Sequence, residues 1–375
     1  MAEKKIRSSN IELLRIVAML MIIVYHIMHH CVITYLPQSG EYFNQPILYK
    51  SLVIPQIFAS FGPIGNDVFI LITGYFMANC GEKGSTRLTK VASKLLTQLG
   101  FASMILIAAS ALAVYAVRSV RIEAVGFHLF NTYAWFVGYY FLIFLCGALF
   151  FNRFILSLDR KGYLALVLSL FALISFEWTG RLVDGLAEGL LNFVTGLFLY
   201  AVGGYIRRYE PFERFRGVFF VLMLAVCVAV TAVSQFNFTA STIAAARESG
   251  LEQVLMPHSL MRFDNNSIVT LIVAISMLEL FKRIRMPNSK AINFLGSATF
   301  MVYLIHENAF INSLWRKDNW LEILSRSPAE FVARCAIWMV ICFACGVVAY
   351  ALYLAFMRAC KMLAKLFLKP EKTTV

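Results

Sequence analysis

Apolar runs of close to twenty residues follow one another along the whole chain, separated by short polar connections. A helix needs about twenty apolar residues to cross the ~30 Å hydrocarbon core of a bilayer. The pattern therefore predicts helices rather than strands, and a lipid rather than an aqueous surrounding. Ten spans can be set out, at roughly 11–33, 57–78, 91–117, 132–151, 162–177, 186–206, 217–236, 265–281, 291–312 and 329–357. Ser9-x-x-Glu12 spells a capping box, so the first helix is expected to begin near Asn10. Pro37, Pro46 and Pro55 argue against a long regular helix over 34–56. The expected fold is all-α: a polytopic membrane protein of about ten transmembrane helices, with residues 1–375 as one transmembrane domain and no separate soluble domain.

Composition sharpens this picture. Of 375 residues, 60% are hydrophobic and only 15% charged, with a mean hydropathy of +0.72. A soluble chain carries about 25% charged residues. The formal charge of +13 does not read as nucleic-acid binding in such a chain; it reports orientation and contact with anionic lipid. Most lysines and arginines fall on alternate connections and at the two chain ends, which predicts both termini in the cytoplasm. The apolar run after Lys4, Lys5 and Arg7 is too long for a signal peptide and lacks a small-residue cleavage site, so the first helix is expected to stay. Cys342-x-x-Cys345 is a packing pair inside an apolar run, with no disulfide or zinc framework around it.

Candidate chemistry lies where ionisable residues enter the apolar runs, because such residues are costly at membrane depth unless they do something there. Arg15 and His26 are eleven residues apart, which brings them to one helix face at about 16 Å along the axis. They cannot touch, but they could hold two ends of one long ligand. Asp67 sits at about the depth of His26 and is expected to orient or polarise it. Tyr303, His306 and Glu307 cluster near one end of the ninth span. His26 and His30 are spaced i,i+4, which permits a metal, but no second set of ligands is evident and none is expected.

Three stretches resemble motifs of acyltransferase family 3, the bacterial integral-membrane acyltransferases that modify sugars and lipids. They are Arg15-x10-His26; Phe61-Gly-Pro-Ile-Gly-Asn-Asp-Val-Phe-Ile-Leu-Ile-Thr73-Gly-Tyr75-Phe76, with Thr73 where the family has Ser; and Phe294-Leu-Gly-Ser297-Ala-Thr-Phe300-Met-Val-Tyr303-Leu-Ile-His306-Glu307. Arg87-x-x-Lys90, extended by Lys94, stands where the family has Arg-x-x-Arg. Trp135-Phe136 is similar to its Trp-Phe pair.

The resemblance implies a multi-pass enzyme of the bacterial plasma membrane. It would move an acyl group, acetyl first, from acyl-coenzyme A to a hydroxyl of a surface polysaccharide or lipid-linked sugar. His26, Arg15 and Asp67 would carry catalysis, with His26 as base or acyl carrier. Arg15, Arg87 and Lys90 would bind the donor; Trp135, Tyr303, His306 and Glu307 would bind the acceptor. The partners would be membrane lipids and the glycan. The alternative from another class is a transporter or export factor for the same glycans, suggested by intramembrane Asp67, His26 and Glu279.

Overall fold

The computed structural model describes residues 8–33, 50–79, 84–116, 135–175, 187–248 and 267–367. These fold into helices, with no strand among the described residues. In chain order the helices are α1 Ser9–Met28, running on as a π turn His29–Ile33; α2 Val53–Ala59; α3 Phe61–Met77; α4 Gly84–Ala116; and α5 Trp135–Cys146, followed by a π turn Gly147–Phe151. Then come α6 Asn152–Ser157, α7 Arg160–Ser175, α8 Ala187–Tyr209, α9 Gly217–Glu248, α10 Ile268–Arg283, α11 Lys290–His306, α12 Ala309–Trp315, α13 Trp320–Arg326 and α14 Pro328–Phe367.

Each of the ten expected spans falls on a helix. Among the described residues, seven helical stretches are long and apolar enough to cross a membrane. The helices over the other three, α7, α10 and α11, have only 16, 16 and 17 residues. The long α9 and α14 carry Leu, Val, Ile and Phe outward along their length, among them Val218, Val221, Val233, Ile337, Val340 and Leu352. A soluble protein does not leave such faces bare; a bilayer covers them.

The centre of the bundle is built from α1, α3, α8, α10 and α11, with α14 packed on α11. Small residues set how close these helices come. A Cβ on Gly74 of α3 would strike the Tyr200 carbonyl of α8, and one on Gly203 of α8 would strike the Leu71 carbonyl of α3. The two backbones therefore meet directly, which only glycine allows. Gly65 does the same against α1, where an added Cβ would lie 2.8 Å from the Ala18 carbonyl oxygen. That face of α3 is therefore the one turned to α1.

The capping box is not formed. The Ser9 hydroxyl accepts from the Ser289 backbone N–H at 2.9 Å and lies 2.9 Å from Asn293 Oδ1. Asn10 donates to the Phe281 carbonyl at 3.0 Å, and Glu12 pairs with Arg15 at 3.1 Å. The polar groups that would cap α1 locally instead tie its start to the α10–α11 connection, because that connection offers partners and water need not be excluded twice. The ninth span also differs from its expected course. Helix α11 stops at His306; Glu307 leaves helical geometry with φ −92 and ψ 77, and Asn308 caps α12 by accepting from the Ile311 N–H at 3.1 Å.

Candidate functional site

Helix α11 delivers His306 in its last turn, and the break after it turns Glu307 back toward α1. His26 comes from the last turn of α1, and His30 from the π turn that continues it. The four meet. His26 Nδ1 lies 2.9 Å from His306 Nε2 and 3.0 Å from Glu307 Oε2. His30 Nε2 lies 3.0 Å from the other oxygen, Oε1. One carboxylate thus faces two histidines, and His26, His306 and Glu307 are all buried.

The hydrogen bonds assign the tautomers. His306 Nδ1 is 2.7 Å from the Val302 carbonyl, so its proton sits there and Nε2 holds a lone pair. His26 Nδ1 then faces two acceptors, His306 Nε2 and the Glu307 carboxylate, and must carry its own proton. That leaves the lone pair of a neutral His26 on Nε2. The Nδ1 proton's hydrogen bond goes to His306 Nε2, while the Glu307 carboxylate 3.0 Å away favours the same tautomer by its charge and would stabilise an imidazolium if one formed. His26 Nδ1, His306 Nε2 and a Glu307 oxygen lie within 4.8 Å of one another, close enough to be considered as metal ligands. Donor atoms 2.0–2.2 Å from a tetrahedral ion stand about 3.3 Å or more apart. The 2.9 and 3.0 Å separations are those of a shared proton.

A cleft of about 220 Å³ lies near this cluster, with Tyr303 on its wall. Arg15 and Lys94 line one part of it, Met19, Ile22, Thr73 and Tyr140 its walls, and Phe136 and Tyr303 another part. The Tyr303 ring lies 6.1 Å from that of His26 and 5.9 Å from that of Phe136, centroid to centroid. The largely apolar cleft thus extends from Arg15 to Tyr303, whose ring neighbours that of His26; His26 itself is not among the residues that line it.

The structure redistributes the other expected residues. The carboxylate on His26 is Glu307, not Asp67. Asp67 is buried, but it lies two residues beyond Gly65, about 200° round α3 from the face that meets α1. His306 and Glu307, expected to touch an acceptor, are taken up with His26. Tyr303 lines the cleft as a substrate contact would. Trp135 is about half exposed and stacks beside Phe136 and Tyr139 at 5.9 and 5.8 Å; the cleft is reached by its neighbour Phe136. Lys90 is exposed, one turn before the cleft-lining Lys94, and the side chain of Arg87 lies outside the described residues. Glu279 is held by Lys282 at 2.9 Å and by Arg283, which suits an internal ion pair.

A family model described as an acyltransferase domain, that of acyltransferase family 3, matches residues 8–359. Comparison with curated proteins and with solved structures found no match.

Proposed function

Because the chain belongs to acyltransferase family 3, we propose that it transfers an acyl group, acetyl first, from acyl-coenzyme A to a hydroxyl of a surface polysaccharide or lipid-linked sugar. The bilayer is the bacterial plasma membrane, with both chain ends on the cytoplasmic side, where the donor is made. The observation that supports this reading is the cleft from Arg15 to Tyr303, whose ring lies 6.1 Å from that of a buried histidine with a carboxylate 3.0 Å from its Nδ1.

The donor's phosphorylated head stays at the Arg15 end, with Arg87 and Lys90 nearby in the chain, and its apolar arm enters the cleft. The thioester then reaches His26. Nε2 of His26 takes the proton of the acceptor hydroxyl as the oxygen attacks the carbonyl carbon. A C–O bond forms, the C–S bond breaks, and the thiolate of coenzyme A leaves and recovers the proton from His26. Glu307 and His306 hold Nδ1–H throughout, so that the imidazolium is stabilised where it arises. Tyr303 and Phe136 flank the reacting groups, and no metal enters the scheme.

The test is complementation. A strain lacking the gene receives wild type, His26→Ala or Arg15→Ala, with each protein's membrane level checked, and O-acetyl groups on envelope glycans are measured. The reading expects wild type to restore them and His26→Ala to abolish them. Unchanged acetylation in all three, with glycan export dependent on the protein, would replace the enzyme by a transporter.

A further inference from the structure

At the end of the bundle where α1 begins, the C-terminal turns of α3, α8 and α10 come together. Tyr75 stands between them. Arg207 of α8 donates from Nη1 to the Tyr75 hydroxyl at 2.9 Å, and its guanidinium carbon is 5.1 Å from the ring centroid. Lys282 of α10 places its ammonium 5.6 Å from the same centroid. Phe76 lies beside Tyr75 at 5.2 Å, and the Arg15 guanidinium is 6.0 Å from the Phe76 ring. A row of cations and rings therefore runs from Arg15, which lines the cleft, to Arg207.

The charges in this row do not balance. Arg15 is answered by Glu12, and Lys282 and Arg283 share Glu279. Arg207 has no carboxylate partner among the described residues. Four cations thus face two carboxylates. Helix C-termini attract cations, which accounts for the basic residues that end α8 and α10. It does not account for two cations converging on one ring, where they repel. The hydrogen bonding is incomplete in the same place. Tyr75 accepts from Arg207, and a phenol both accepts and donates; its own hydrogen has no acceptor among the described residues. A guanidinium, an ammonium and a hydroxyl donor around one spot match the donor set that binds a phosphate monoester.

We propose that Arg207, Tyr75 and Lys282 form a phosphate subsite that anchors the head of the acyl donor, beyond the end of the cleft that Arg15 marks. This rests on the reading of acyl-coenzyme A as donor. The cleft takes the unbranched arm, and the row takes the charged nucleotide that cannot follow it. An anionic lipid headgroup offers the same chemistry, so the test separates the two.

The full chain is placed in nanodiscs of zwitterionic lipid and, in parallel, in nanodiscs containing anionic lipid, each with a glycan fraction as acceptor. Thiol release is followed from acetyl-coenzyme A and from S-acetylpantetheine, which has the same thioester arm without the nucleotide. For Arg207→Gln and for Lys282→Gln, the kcat/KM ratio of acetyl-coenzyme A to S-acetylpantetheine is expected to fall about tenfold, with Arg207→Lys intermediate. Thermal midpoints of all variants are recorded to confirm that they are folded. An equal loss on both donors would overturn the subsite and make the row structural. A loss confined to nanodiscs containing anionic lipid would overturn it in favour of a headgroup site. Wild type that releases thiol from neither donor would bring down the donor reading itself, and the subsite with it.

Discussion

Glu307→Gln is the substitution that most directly tests the His26 arrangement. It keeps the shape of the side chain and removes its charge. In the native site both carboxylate oxygens are engaged, each 3.0 Å from a histidine nitrogen. A unit charge 3.0 Å from an imidazolium contributes about 5 kcal/mol at an effective dielectric constant of 20. That is the stabilisation lost when His26 takes a proton. Tautomerism adds to it, since a glutamine amide can donate to Nδ1 and drive the proton to Nε2, where the lone pair is needed. The combined effect on kcat is a fall on the order of 10³–10⁴, comparable with the loss of the orienting carboxylate in a histidine-based triad. KM for the donor should change little, because Glu307 lies beyond the cleft-lining residues. The assay is steady-state thiol release from acetyl-coenzyme A by purified protein in nanodiscs, with His26→Ala as the inactive reference and the thermal midpoint as a check on folding. A well-folded Glu307→Gln within about threefold of wild type, beside an inactive His26→Ala, would refute the claim that Glu307 orients the base.

Three further outcomes follow from the same geometry. Asp67→Asn is expected to cost less than about fivefold in kcat, since Asp67 lies about 200° round α3 from the face that meets α1; a loss as large as that of Glu307→Gln would mean that the two carboxylates work together. Phe136→Ala should raise the donor KM several-fold more than Trp135→Ala, because only Phe136 lines the cleft; the reverse order in the thiol-release assay would put the site on the other side of α5. Gly74→Ala should destabilise the fold by about 1–3 kcal/mol, because the new Cβ meets the Tyr200 backbone rather than a movable side chain. Lowered membrane abundance and thermal midpoint would register it, and an unchanged midpoint would show that α3 and α8 can part without loss.

The helices were legible in the sequence because each apolar run must satisfy its own backbone in lipid, and only helix does so locally. Arg15 and His26 could be placed on one face for the same reason: their relation is fixed within a single helix. The glycines on α3 announced close approach, since a missing Cβ is a local fact. The identity of what approaches was not local, and the structure supplied it as the backbone of α8 on one side and α1 on the other. Depth could likewise be counted along each span, which put Asp67 level with His26. Azimuth between separate helices could not be counted, and it turned Asp67 away from the face of α3 that meets α1. Glu307 reached His26 through a break of α11 after His306, where the chain leaves helical angles and begins α12. Asn308, with a side chain suited to capping, was the local signal for that break. Sequence by itself therefore determined the elements, their order and the residues worth watching, because those depend on interactions a few positions apart. Only the tertiary structure decided which carboxylate meets the histidine and which aromatic lines the cleft, because those depend on how one helix is rotated against another.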